Sequence, residues 1–171
     1  MRARDWLVGT GLAFGLVMGA PAQADSRAIM QQLKSLEGEW MLIGEQGEVL
    51  EQVGSEFSLT ASGSALRELM FPGGEHEMMN VFHADGDRVL MTHYCGAGSQ
   101  PRLEVVPAED GNGLLLKFDS ITNLPSPDAH FMHHAEYEWD GEDRLTTTWY
   151  GSVEGEIQDE TTIFRLARRA E

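Results

Sequence analysis

Six histidines, His76, His83, His93, His130, His133 and His134, sit among short apolar runs in the middle of the chain. His93 opens the triplet His93-Tyr94-Cys95, and Cys95 is the only cysteine. Imidazole, phenol and thiol groups bind metals, bind haem, or move protons near neutral pH. Strand alternation puts Met91, His93 and Cys95 on one face of their run. In the run 129–139 it places Phe131, His133, Ala135, Tyr137 and Trp139 inward, leaving His134 to solvent. The sharpest expectation is a pocket lined by His93, Cys95 and His133, with Asn123 and His130 at its mouth. Histidine and cysteine ligate zinc, copper and haem iron. No compact His-x-x-x-His or Cys-x-x-Cys spacing selects a metal, which stays unknown at this point. The same residues also fit neutral barrel histidines bonded to neighbouring backbone, and an inert buried thiol. A Cys–His nucleophile pair would lack a visible orienting acid and oxyanion hole.

Other side chains could meet a ligand. Arg67 and Glu68 interrupt an apolar run, so one of them points inward. A lumenal Arg67 would pair with a ligand carboxylate or with a lumenal glutamate. Met70, Met78, Met79, Met91 and Met132, with Phe71, Phe82 and Phe131, suit a flexible apolar ligand or an ordinary core.

These residues need elements to position them. Residues 1–24 read as a signal peptide: Arg2 and Arg4, an apolar stretch from Trp6 to Met18, and the small-x-small site Ala22-Gln23-Ala24. Cleavage there leaves 147 of the 171 residues, starting at Asp25, and moves the net charge from -16 to -17, since Arg2, Arg4 and Asp5 leave together. The expected compartment is the periplasm or the exterior of a bacterium. So acidic a surface repels nucleic acid and anionic lipid, and no stable membrane insertion is expected after cleavage. The remaining length suits one domain, and the lone Cys95 excludes an internal disulfide.

The apolar spacing of Ile29, Met30, Leu33 and Leu36 predicts a helix over 26–36, capped by Ser26 and stopped by Gly38. Ten strands follow: 39–44, 51–60, 65–71, 76–83, 88–95, 102–107, 114–119, 129–139, 144–151 and 156–168. Glycine-rich turns such as Asp85-Gly86-Asp87 and Asp140-Gly141-Glu142-Asp143 separate them. Such tight spacing predicts an all-β, up-and-down antiparallel meander. Closing it into an 8-10-stranded barrel removes both exposed edges. The long connection 120–128, with Asn123, Pro125 and Pro127, is the expected functional loop.

Gly38-Glu39-Trp40 after a short helix, with Arg165 in the last strand, resembles the lipocalin and wider calycin group. There a Gly-x-Trp motif starts the barrel and an arginine of the final strand packs over the tryptophan. The segments Met91-Thr92-His93-Tyr94-Cys95, Gln100-Pro101-Arg102, Thr122-Asn123-Leu124, 130–134 and Thr148-Trp149-Tyr150 resemble a group of exported bacterial lipocalin-like proteins. That resemblance implies fold and location rather than an activity.

The leading expectation is an exported protein holding a small apolar or amphipathic ligand, lipid-like or fatty-acid-like, in the barrel lumen. Its ligand-binding residues would be His93, Cys95, Asn123, His130, His133 and Arg67. This reading requires no cofactor. A haem- or metal-binding barrel using lumenal His and Cys is the first alternative, and a small enzyme with a lumenal histidine as general base is the second.

Overall fold

The computed structural model describes residues 25–170, so the expected signal segment lies outside the described residues. Helix α1 (Ser26–Lys34) precedes ten strands: β1 (Gly38–Ile43), β2 (Val49–Thr60), β3 (Ala65–Met70), β4 (Met78–Asp85), β5 (Arg88–Tyr94), β6 (Gln100–Pro107), β7 (Gly113–Thr122), β8 (Phe131–Trp139), β9 (Arg144–Val153) and β10 (Glu156–Arg168). Every strand pairs antiparallel with the next, and β1 pairs with β10 to close the barrel. All ten expected strands are present, with ends moved by a few residues. β7 runs on to Thr122, so the long connection begins at Asn123. No helix among the described residues is long and apolar enough to cross a membrane.

The helix is capped by Asp25, not Ser26: the Asp25 carboxylate accepts from the Arg27 N–H at 3.0 Å. Ser26 Oγ instead donates to the Gly86 carbonyl. Ile29, Met30, Leu33 and Leu36 are buried and close one end of the barrel. Gly38, at φ 123°, turns the chain from helix into strand where other residues would be strained. Trp40 is fully buried beneath this plug, and its indole N–H donates to the Leu36 carbonyl at 2.8 Å.

The arginine over Trp40 is Arg168, not Arg165. Its guanidinium carbon lies 4.4 Å from the ring centroid, and it donates to the carbonyls of Glu37 and Ser35. Register decides this. Trp40 lies opposite Arg168 across β1 and β10, whereas Arg165 lies opposite Thr146 and is exposed.

The helix-closed half of the lumen is packed with side chains, among them Phe57, Leu66, Phe82, Met91, Leu103 and Leu116. An elongated chain lying along the whole axis would have to displace them. Two irregularities shape the other half. Met132 pairs with Gly151 and His134 with Tyr150, so His133 is the extra residue of a β-bulge. β7 and β8 pair only from Gly113–Glu138 to Leu116–Ala135, then part.

Candidate binding site

A chain of buried polar groups crosses the middle of the lumen. Residues of even number on β3 and β4 face inward, so Glu68 and Asn80 are buried at 1% and 0% exposure. Glu68 Oε1 accepts from Ser55 Oγ at 2.7 Å. Its Oε2 accepts from Asn80 Nδ2 at 2.7 Å and from the Tyr137 hydroxyl at 2.6 Å. Among the described residues, its side-chain partners are the neutral Ser55, Asn80 and Tyr137. Burial holds the Glu68 carboxyl above its ordinary value, with the three donors pulling the other way. Burial, then the neighbouring Glu68 carboxylate, pushes the Tyr137 phenol well up.

Asn80 links this group to His93. Its amide nitrogen is committed to Glu68, so its Oδ1 faces His93 Nδ1, 2.7 Å away. An amide oxygen only accepts, so Nδ1 carries the proton and Nε2 keeps a free lone pair. Burial pushes the His93 imidazole down to about 4, leaving it neutral at pH 7. His93 is 1% exposed, and its Nε2 is buried without a partner. The Trp149 indole lies beside it, with ring centroids 5.0 Å apart, and its Nε1 is also buried without a partner.

Both rings line a cavity of about 70 Å³, together with Met70, Met78, Met132, Thr162 and Phe164. That is about two waters' share of liquid volume. Met132, Trp149 and Thr162 also line an open cleft of about 600 Å³ on β8–β10, next to His130, Gly151, Asp159 and Glu160. The cavity therefore adjoins the surface cleft across Met132, Trp149 and Thr162, at the end of the barrel away from α1. Neither lining contains a lysine or an arginine.

The expected site residues divide. His93 lines the cavity. His130 lines the cleft, its ring so close to β9 that a Cβ on Gly151 would lie 2.6 Å from His130 Nε2. His133 does not join His93. The bulge puts Met132 on the inner face and sends His133 against Phe118, stacked at 4.9 Å in the opening between β7 and β8. Burial pulls its pKa down. His134 faces outward as expected, stacked on Tyr150 at 4.1 Å. Cys95 falls just past β5, half-buried and free, where its N–H donates to the Ser99 carbonyl; it lines neither space. Asn123, at φ 55°, donates to the Gly98 carbonyl at 2.6 Å and ties two loops together. Arg67 points outward and pairs with Glu56 at 3.1 Å, because Glu68 takes the inward place.

Sequence reasoning missed Asn80, Tyr137 and Trp149 as a unit with Glu68. The available signal was the pair Arg67-Glu68 in an apolar strand: an inward carboxylate must find donors on the facing strands. Among the described residues, no three His, Cys, Asp or Glu side chains gather as a metal-binding group. No protein-family model matches this chain, and no curated protein matches it. The closed ten-stranded antiparallel barrel is consistent with a calycin-like fold.

Proposed function

We propose that this is an exported small-molecule-binding protein of calycin architecture, holding a mostly apolar ligand by its one polar end. The observation that carries the reading is the buried, unpartnered Nε2 of His93 in the cavity that adjoins the cleft. A buried acceptor without a partner costs roughly 1–3 kcal/mol, which a ligand donor recovers. Trp149 Nε1–H offers the complementary donor. A hydroxyl, or a carboxyl in its protonated form, can donate to the first and accept from the second. An ionised carboxylate is disfavoured, since His93 is neutral, Glu68 lies behind Asn80, and Asp159 and Glu160 line the cleft. Only the head and its first carbons fit the cavity; the rest of a lipid-like ligand lies in the cleft. Methionine walls adapt to such tails.

The test is a calorimetric titration with three probes of equal length: hexan-1-ol, hexanoate and hexylammonium. Hexan-1-ol binds the parent protein and not the His93→Leu variant. No binding of any probe, together with no adduct in native mass spectrometry of freshly purified protein, refutes the reading.

A further inference from the structure

The sulfur content of the cavity supports a second occupant. Met70 ends β3, Met78 begins β4, His93 lies near the end of β5, and the bulge at His133 turns Met132 inward from β8. Four strands therefore bring three thioethers and one imidazole to the wall of a single cavity of about 70 Å³. No carboxylate, thiol or cationic side chain shares that wall. We propose that this cavity is a site for a soft monovalent metal ion, Cu(I) or Ag(I), ligated by His93 Nε2 and by the sulfurs of Met70, Met78 and Met132.

Thioethers select soft ions such as Cu(I), while hard cations and zinc take oxygen, thiolate or several imidazoles. A cavity of this size accepts a bare ion of low coordination number and excludes haem. The supporting shell is built. Asn80 Oδ1 fixes the Nδ1–H tautomer of His93 and so directs the lone pair to Nε2. Asn80 Nδ2 also lies 3.5 Å from Met70 Sδ, turning that thioether toward the same buried group. Glu68, one amide behind His93, supplies a compensating negative charge when ionised. The approach is cation-friendly, since Asp159 and Glu160 line the outer cleft and no lysine or arginine does. The Trp149 indole lines the same wall, its ring centroid 5.0 Å from that of His93.

This inference stands apart from the organic-ligand reading, although both use His93 Nε2. The test uses Ag(I) as a redox-inert probe on the full-length mature chain. Cys95→Ser is the parent, because a free thiol would bind Ag(I) by itself. Calorimetry and native mass spectrometry are expected to give one Ag(I) per chain. With ¹³C-methyl methionine, the resonances of Met70, Met78 and Met132 move while those of Met41 and Met91 stay. Met132→Leu keeps apolar volume and weakens Ag(I) binding by about tenfold or more. The triple Met→Leu variant at 70, 78 and 132 loses Ag(I), and hexan-1-ol binding is read separately on the parent without Ag(I), so the two readings fail independently. Equal Ag(I) affinity in parent and triple variant overturns the proposal, as does an Ag(I) stoichiometry near zero.

Discussion

Asn80 stands 2.7 Å from His93 and 2.7 Å from Glu68, oxygen to the one and nitrogen to the other. One amide thereby decides which nitrogen of the histidine faces the cavity. Asn80→Ala would leave the His93 Nδ1–H without an acceptor and strip Glu68 of one donor. Each loss costs about 1–3 kcal/mol. Urea unfolding of the variant is expected to show a stability lower by about 2–4 kcal/mol at an unchanged m-value, and a change below 1 kcal/mol would count against the network.

Glu68 makes stability fall on the alkaline side. Burial raises its carboxyl in the folded protein above the ordinary 4.5. A raised carboxyl holds its proton more tightly folded than unfolded. Its contribution is complete below 4.5 and is lost as pH rises through the folded value. Glu68→Gln keeps the shape and removes the charge, since Ser55 can turn to accept from the new amide. The melting temperature of Glu68→Gln, relative to the wild type, should climb as pH rises above 4.5. A constant difference from acid to alkaline pH would contradict this.

His93 acts on the acid side. Its folded pKa is lowered from 6.5 to about 4, so the unfolded chain takes up a proton that the folded one resists. Stability is unaffected above 6.5 and declines between 6.5 and about 4 as pH falls. A shift of that size corresponds to roughly 3 kcal/mol. His93→Leu is less stable overall, because Asn80 Oδ1 loses its donor, but its stability curve should be flatter across that window. An unchanged slope would show that burial does not lower the His93 pKa in the folded state.

Arg165 and Arg168 stand three residues apart on β10, so they point to opposite faces of the strand. Arg168→Ala removes the contact with Trp40 and donors to Ser35 and Glu37, an expected loss of about 2–3 kcal/mol. Arg165→Ala touches an exposed side chain and should stay within about 0.5 kcal/mol of the wild type. Equal losses would mean that the closing arginine has been misplaced.

The fold was legible because its signals are local. Turn glycines such as Gly86, and apolar alternation in β4 and β5, marked the strands, and edge closure then implied a barrel. Arg168 was missed because which arginine meets Trp40 depends on the β1–β10 register, which no local pattern carries. Of the expected histidines, His93, whose strand is regular up to Tyr94, lines the cavity and His130 lines the cleft beside it. The bulge at His133 reversed alternation in β8, exchanging a histidine for Met132 at the cavity. Cys95 lay one residue beyond the strand that would have aimed it inward. Glu68, Asn80 and Tyr137 come from three strands, and their union is a property of the closed barrel rather than of any segment.

The role of His93 is read in the ¹⁵N spectrum of the histidine rings, recorded on the free protein and on the protein saturated with hexan-1-ol. Free His93 is expected to be the Nδ1–H tautomer with an unprotonated Nε2, and its Nε2 resonance is expected to move most on saturation. A proton on Nε2 in the free protein, or a His93 resonance that moves no more than that of His134, would contradict this role.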